Sequence, residues 1–329
     1  QDGTSGRDFL DVAAMHPNGS SCVLAGRTHG NWSTTNAGRS DFMAVNLDID
    51  GHILWEWQNG TVGGDRVFAG GVANDGSVIL AGDITGGYAA EKARSHGFVV
   101  MKLDDDGEVL WTWQDGTDSF NTWHGLEIGV DGSVVLAGET DGSWNATSAG
   151  DSDWAAMKLD AEGTVVWKWQ DGGAGSDRLF GAALSDDGSV VLAGVMNGND
   201  FAAVKLDVNG TKIWIWQDGT DKDDEFFAIT AAGNGSVVLA GYTDGNWLGT
   251  SAGSSDFAAV KLDASGTEVW RWQEGSDSVD CILGAAALNK GSVILVGKTD
   301  GDFVWTSQGS YDFAAIELDT NGNALWRWQ

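Results

Sequence analysis

The chain has 329 residues, of which 42% are hydrophobic, and its 48 Asp and Glu against 18 Lys and Arg give a formal net charge of −30. Such a surface repels nucleic acid and anionic lipid, because phosphate binding needs Lys and Arg to displace counterions. No apolar run approaches the roughly 18 residues that cross a membrane as a helix. We therefore expect no nucleic-acid partner and no membrane insertion.

A repeat of about 56 residues organises the chain, and such self-similarity is typical of repeat architectures. Its Trp-x-Trp-Gln motif recurs at intervals of 56, 56, 47, 56 and 56 residues, beginning at Trp55, Trp111, Trp167, Trp214, Trp270 and Trp326. Since no linker interrupts the repeats, we predict a single domain, 1–329. Its six repeats cover approximately 1–60, 61–116, 117–172, 173–219, 220–275 and 276–329.

Each repeat contains four short apolar runs separated by turn signals, which predicts a four-stranded antiparallel meander. In the second repeat these are strand A (67–73), strand B (77–81), strand C (98–103) and strand D (108–113). None of the runs has helical spacing. The sequence therefore predicts an all-β chain.

Six such meanders favour a closed six-bladed β-propeller, since a radial array protects sheet edges and blade numbers of about 4 to 8 are usual. An open solenoid would need atypical capping repeats, which the sequence lacks. Gln1-Asp2-Gly3-Thr4 matches the tail of the repeated motif, and Gln329 stops at that same position. Both ends of the sequence thus fall at the same position of the repeat, which fits either ring closure or excision from a longer polypeptide.

Two cysteines are placed where a ring would make their blades neighbours. Cys22 lies in strand B of the first repeat and Cys281 in strand A of the sixth. We predict a disulfide between them, because a bridge that closes so long a loop is stabilising in a secreted protein. The alternative is two buried free thiols, a common state of cysteine.

Every repeat also carries a Gly-Ser-Val-Val-Leu-Ala-Gly-like run and an Asp-Phe-Ala-Ala-Val-Lys-Leu-Asp-like run. These runs resemble those of bacterial β-propeller-repeat proteins, which have a Gly-x-Val-x-Val-Ala-Gly strand, an Asp-Phe-x-x-Lys-Leu-Asp strand and a strand ending in Trp. The Trp-x-Trp-Gln-Asp-Gly-Thr signature is also similar to that of repeat proteins encoded by marine algae. The resemblance covers all 329 residues. It implies the propeller fold and almost nothing about activity.

A meander places its A–B and C–D turns at one end of the blade, here named the short-turn end. The B–C and D–A loops lie at the other, the long-loop end, where ligand binding is expected. The B–C loops of five repeats carry an aromatic residue beside Asp, Asn or Thr, which suits sugar stacking. Packing of each ring on its own blade is the alternative that we favour. The aromatic residues are Trp32, Tyr88, Trp144, Trp247 and Trp305.

Aspartates recur before strands A and C at this same end. Clustered carboxylates suit Ca²⁺, which takes about 6 to 8 oxygen ligands. An Asp at a strand start more often caps backbone N–H groups, and we favour that role for most of them. The candidates for a calcium site are Asp65, Asp153, Asp177 and Asp256.

Departures from the repeat indicate where a pocket at the mouth of the central channel would lie. His124 and Glu127 in the third strand A are such departures, and His124 is a candidate ligand-binding residue. The sequence contains no recognisable nucleophile motif or metal-ligand spacing, so an enzyme is the less favoured alternative.

Two of six Asn-x-Ser/Thr sequons, at Asn31 and Asn145, lie outside Asn-Gly turns and are candidate glycosylation sites. They suggest a secreted or cell-surface protein. We therefore expect an extracellular, non-catalytic binding or structural module whose partners are glycans or other extracellular proteins. A lectin that uses the loop tryptophans is a second interpretation.

Overall fold

The computed structural model describes residues 3–86, 94–185, 187–288, 291–307 and 309–329. Every regular element in these ranges is a β-strand, and the strands form six four-stranded antiparallel sheets. Each sheet holds four strands that follow one another in the chain, so each is a meander of strands A to D, which we call a blade. The predicted all-β chain with six four-stranded repeats is confirmed. In the described part of the chain, no helix could cross a membrane.

The chain divides into two compact units, and the N-terminal unit spans residues 1–171. It contains the first three blades. Their strands are Asp8–Met15 (β1), Ser21–Thr28 (β2), Asp41–Asp48 (β3), Ile53–Asn59 (β4), Asp65–Val72 (β5), Val78–Gly86 (β6), Arg94–Leu103 (β7), Val109–Asp115 (β8), Asn121–Ile128 (β9), Val134–Thr140 (β10), Asp153–Leu159 (β11) and Val165–Asp171 (β12).

The C-terminal unit spans residues 172–329 and contains the other three blades. Its strands are Arg178–Leu184 (β13), Val190–Met196 (β14), Asp200–Leu206 (β15), Lys212–Asp218 (β16), Asp224–Ala231 (β17), Val237–Thr243 (β18), Asp256–Leu262 (β19), Glu268–Glu274 (β20), Asp280–Ala287 (β21), Val293–Thr299 (β22), Asp312–Leu318 (β23) and Ala324–Trp328 (β24). Closure of a ring through the first and sixth blades stays a prediction.

Within each unit the core lies between the faces of successive blades. Strand C of the third blade is buried at every position from Asp153 to Leu159. Strand C of the second blade is likewise buried from Gly97 to Leu103, because the first and third blades pack against its two faces, and such strands read as continuous apolar runs. Between the second and third blades, for example, Phe98 stacks on Trp123 with ring centroids 3.9 Å apart.

Each strand A carries one β-bulge, opposite the Ala-Gly pair of strand B or, in the sixth blade, opposite Val296-Gly297. A Cβ built on Gly82 would lie 1.8 Å from the Arg66 carbonyl oxygen, and one on Gly241 would lie 1.8 Å from that of Glu225. Only glycine allows this approach of two backbones, which explains the Gly of the repeated strand B motif. The bulge interrupts the alternation of side chains between the two faces of strand A, so that the pairing register with strand B skips one residue per blade. These residues are Asp11, Phe68, His124, Phe180, Phe227 and Leu283.

In four of the six repeats, the first Trp of Trp-x-Trp-Gln joins one blade to the next. The Trp55 Nε1–H donates to the Asp105 carbonyl, 2.8 Å away in the C–D turn of the next blade. The same bond is 3.1 Å long for Trp111, Trp214 and Trp270, each to the carbonyl 50 residues further on. A constant sequence offset therefore reflects a constant spatial relation between successive blades within a unit.

Candidate functional site

The Gln of Trp-x-Trp-Gln holds the B–C loop against its own blade. In the third blade, Gln170 Oε1 accepts from the backbone N–H groups of residues 144–146 at 2.8, 2.8 and 3.1 Å. Its Nε2 donates to the Gly142 carbonyl at 3.0 Å and to Asp153 at 2.7 Å. The B–C loop of the third blade is therefore held in place by its own strand D. The equivalent clamps are Gln58, Gln273 and Gln329.

Two of the predicted sugar-stacking residues are packed inside this structure. The ring of Trp144 contacts Phe98 at 4.9 Å, and its Nε1–H donates to Asp115 at 3.2 Å. The ring of Trp247 is only 8% exposed, and its Nε1–H donates to Asp218 at 3.2 Å. Each aspartate belongs to the preceding blade, so these tryptophans join successive blades. The rings are therefore packed, as favoured above over sugar stacking, but against the preceding blade rather than against their own.

The remaining aromatic candidates do not share one environment. Trp32 is half-buried, whereas Trp305 is 55% exposed. Phe303 rather than Trp305 takes the position of Trp144 and Trp247, because its ring packs against Phe257 at 5.0 Å. The predicted loop aromatic, Trp305, is therefore two residues beyond the position that Trp144 and Trp247 occupy in their loops. Tyr88 lies outside the described residues.

The four predicted calcium ligands are bound to groups of the loops. Asp153 and Asp256 each accept from the clamp glutamine of their own blade, at 2.7 and 2.8 Å, and from the backbone N–H of an alanine. Asp65 accepts from the backbone N–H and the hydroxyl of Thr61 at 2.5 and 2.8 Å. Asp177 accepts from two backbone N–H groups, both at 2.5 Å. All four oxygen pairs therefore act as loop caps in this structure.

Burial raises the pKa of Asp65 to about 6, despite the two bonds from Thr61 that favour its charged form. The nearby Asp41 carboxylate raises it further. Gly60 lies between the two acids, since a Cβ at that position would be 2.4 Å from Asp41 and 2.7 Å from Asp65. Two blades thus place like charges close together, and desolvation is the larger cause of the shift.

One acidic group in the described residues is compact enough to hold a metal ion, and it contains none of the four predicted ligands. Asp48, Asp50 and His52 have ligand atoms within 4.8 Å of one another. They lie in the first C–D turn, where Asp48 Oδ1 accepts from the backbone N–H groups of the other two at 2.9 and 2.8 Å. These bonds form the hairpin turn that the sequence indicates there.

The candidate channel residues lie on strand A of the third blade. His124 is the bulged residue, and its Nε2 is 3.5 Å from Glu139. Its ring is 6.4 Å from that of Phe68, the bulged residue of the second blade. Burial raises the pKa of Glu127 above its ordinary value. The bulges thus bring side chains of successive blades together, although Glu127 lies outside the bulge.

Both cysteines are free thiols in the structure, in place of the predicted disulfide. The Cys22 thiol lies 3.8 Å from the Val23 carbonyl and the Cys281 thiol 3.5 Å from the Ile282 carbonyl, so each sulfur contacts its own strand. Burial raises the pKa of Cys281 to about 12, which makes it an unreactive thiol at neutral pH.

The candidate glycosylation sites lie in exposed loop positions. Asn31 Oδ1 accepts from the Asn36 N–H at 2.9 Å, and Asn145 Nδ2 donates to the Lys168 carbonyl at 2.9 Å. Both side chains therefore contribute to loop geometry. Glycosylation at either position stays a prediction.

A basic cavity of about 460 Å³ lies at the long-loop end of the N-terminal unit, between the first and second blades. The repeat motifs do not predict it. The guanidinium of Arg27 lies 4.3 Å above the ring of Phe9, and the His29 Nδ1 is 2.9 Å from the Arg7 carbonyl. Six basic side chains line the cavity: Arg7, Arg27, Arg39, Arg66, His29 and His96.

The signal for this cavity was present in the arginine distribution. The chain has eight arginines, and five of them occur in the first 94 residues. Arg27 lies at a strand B position that has no repeat consensus, since the other blades hold Asp83, Glu139, Val195, Tyr242 and Lys298 there. Comparing the repeats column by column would have identified it.

No protein-family model matches the chain, and no curated protein matches it. The chain is similar to the solved structure of the WD40 domain of Pan2 from Neurospora crassa, at 12% identity over 97% of this chain and 78% of that one, with a TM-score of 0.54. It is also similar to Sqt1 from Chaetomium thermophilum, at 12% identity over 99% and 88%, with a TM-score of 0.53. With six four-stranded blades, these likenesses define the fold as a β-propeller.

Proposed function

We propose that the protein is an extracellular, non-catalytic β-propeller that acts as a binding module, with its ligand face at the long-loop end of the blades. The basic cavity supports this proposal most. It lies at that end, and its arginines are not required by the repeat. Loops fixed on a rigid scaffold are the usual place for binding groups.

The short-turn end offers a contrast. Its C–D turns follow one pattern, in which the Asp at the turn start accepts from backbone N–H groups of its own turn, as Asp104, Asp160 and Asp207 do. Repetition of this kind serves the scaffold. We therefore assign partner recognition to the long loops, and the partner to a glycan or another extracellular protein. Secretion is supported by the exposed sequons at Asn31 and Asn145.

A lectin that relies on several tryptophans is less well supported, because Trp144 and Trp247 join successive blades. Trp305 is exposed and lines an open depression with Asp302 and Thr306, so it is the residue on which a lectin function would depend. The enzyme alternative depends on His124 or Glu127, the departures from the repeat in the third strand A.

The proposal is tested with a glycan array and with capture of proteins from native extracellular extract on immobilised protein. Val62→Glu alters the long-loop end, where Val62 is 86% exposed, and Val130→Glu is the matched control at the short-turn end, where Val130 is 92% exposed. We expect one partner to be captured by the wild type and by Val130→Glu but not by Val62→Glu.

The opposite pattern, or no partner in either assay, would contradict the proposed face and function. Loss of glycan binding in Trp305→Ala alone would favour the lectin. Turnover of a bound glycan that disappears in His124→Ala would favour the enzyme.

A further inference from the structure

The basic cavity concentrates positive charge in a strongly acidic chain. Four of its eight arginines, Arg7, Arg27, Arg39 and Arg66, line this one space, against a formal net charge of −30. At physiological ionic strength charges are screened over about 8 Å, so the distant carboxylates oppose an anion here only weakly. Among the residues that line the cavity, the four arginines outnumber the one carboxylate, Asp83.

Most of these guanidinium groups are not used by the fold. Arg27 lies 3.9 Å from Asp11, at the limit of an ion pair. In the described ranges, no carboxylate forms an ion pair with Arg7, Arg39 or Arg66, and all three side chains are exposed. By contrast, Arg178, which follows the strand A Asp as Arg66 does, pairs with Glu225 at 2.5 Å.

One acid faces the arginines from the wall of the same cavity. Asp83 is only 6% exposed, and within the described structure its Oδ1 is a buried atom without a hydrogen-bond partner. Arg66 and Arg27 stabilise its charged form, although burial outweighs them. A buried acceptor without a donor is costly, so it marks a place that a ligand donor would fill.

We propose that this cavity binds a small organic anion, a carboxylate or a phosphate or sulfate ester, that also carries a hydroxyl group for Asp83. The inference rests on the proposed function, because it names the ligand class of the long-loop face. Guanidinium groups present paired donors that match the oxygens of such anions. A hydroxyl donates the hydrogen bond that the Asp83 oxygen lacks.

The size and walls of the cavity suit a single such molecule. Its volume of about 460 Å³ lies within the range of roughly 300–1,000 Å³ that small-molecule sites occupy. Phe9 and Phe120 add aromatic surface beside the arginines, which suits the C–H face of a sugar ring. An anionic monosaccharide therefore satisfies the charge, the donor and the apolar surface together.

Isothermal titration calorimetry with the full chain tests this inference. The probes are glucose 6-phosphate, glucuronate, inorganic phosphate and uncharged glucose, all at 0.15 M salt and pH 7. We expect the two anionic sugars to bind at least tenfold more tightly than glucose, and the stronger of the two identifies the anionic group. Equal binding of glucose, or no binding of either anionic sugar, would overturn the proposal.

Matched variants locate the site. Arg66→Gln should weaken glucose 6-phosphate at least tenfold, whereas Arg178→Gln, the same position in the fourth blade, should leave it within twofold. Asp83→Asn should retain inorganic phosphate and reduce the preference for glucose 6-phosphate over phosphate about fivefold. Thermal unfolding of each variant confirms that it is folded. Equal losses in Arg66→Gln and Arg178→Gln would exclude this cavity.

The ligand class and the binding module can fail separately. If anionic sugars do not bind while capture of an extracellular partner still depends on Val62, only the ligand class is wrong. If anionic sugars bind but no partner depends on the long-loop end, the cavity remains and the wider binding function falls.

Discussion

Two grooves occupy equivalent places in the molecule and differ in almost every side chain. One lies between the first and second blades in the N-terminal unit, the other between the fifth and sixth in the C-terminal unit, with volumes of about 460 and 310 Å³. Where the first has Arg27, Arg66 and Asp83, the second has Tyr242, Cys281 and Lys298. Backbone geometry is therefore a property of the repeat, and groove chemistry belongs to individual blades.

The second groove does not suit an anion. Burial raises the pKa of Tyr242, and the carboxylates of Glu225 and Asp244 raise it further. The positive charge of Lys298 lies 4.5 Å above the ring of Tyr311. The position that holds Arg27 in the first groove thus holds the neutral phenol of Tyr242, with acids around it, in the second. A ligand for one groove is not expected to bind the other.

The largest expected effect tests whether loop aromatics belong to the shared scaffold. Trp247→Ala should lower the free energy of unfolding by about 3–5 kcal/mol, because it removes a buried ring together with its bond to Asp218. Trp305→Ala should change it by less than about 0.5 kcal/mol, since that ring is exposed. Chemical denaturation measures both. A similar cost for the two variants would show that Trp305 is also part of the packing.

The next effect tests the backbone frame that the two grooves share. Gly82→Ala and Gly241→Ala should each cost about 3 kcal/mol, because the new Cβ would meet a backbone carbonyl at 1.8 Å and one strand must move. Gly309→Ala is the control, since no atom of the described residues lies within 4 Å of a Cβ there. Thermal and denaturant unfolding report the loss. A tolerated Gly82→Ala would mean that the bulge is not fixed in the first groove.

Much of this frame could be predicted from the sequence, because turn residues and short apolar runs specify each meander locally. The groove chemistry could not, since Arg27 and Asp83 lie on strands of different blades and come together only through blade packing. Phe303 was missed for a related reason. Trp305, two residues further on, has the same residue type as the aromatic of the other loops. Packing against Phe257 shows instead that the ring of Phe303 occupies the equivalent position.

A smaller effect depends on pH and concerns Asp83, whose position in the first groove is taken by Lys298 in the second. Burial raises the pKa of Asp83 from its ordinary value of 3.8 to about 6. The folded state therefore binds this proton more tightly than the unfolded state does. Its contribution to stability is fully present below about pH 4 and is lost as the pH rises through 6.

Asp83→Asn should remove this dependence. At pH 7.5 the variant should be about 1–3 kcal/mol more stable than the wild type, and the difference should shrink towards zero near pH 4. Asp105→Asn, on an exposed turn, controls for the loss of one negative charge. Unfolding free energies across this range provide the measurement. An unchanged difference between pH 7.5 and 4 would show that Asp83 is not the titrating group.

The smallest effect compares the third blade, in which a glutamine holds the B–C loop, with the fourth blade, which has no long B–C loop. Gln170 is buried and bonds three backbone N–H groups of its B–C loop, whereas Gln217 in the shortened fourth repeat is exposed and bonds Asp200 at 2.7 Å. Gln170→Ala should cost about 1–3 kcal/mol, because three partly buried backbone donors lose their acceptor. Gln217→Ala should cost less than about 0.5 kcal/mol.

Hydrogen exchange gives the sharper measurement for this pair. In Gln170→Ala, the amides of residues 144–146 should exchange faster, because their acceptor is gone, while the amides of β10 should keep their protection. Faster exchange throughout the third blade would instead mean that Gln170 supports the whole sheet. Equal costs for the two glutamines would imply that Trp-x-Trp-Gln is conserved within this chain for its tryptophans, and that the long loops hold their shape without a clamp.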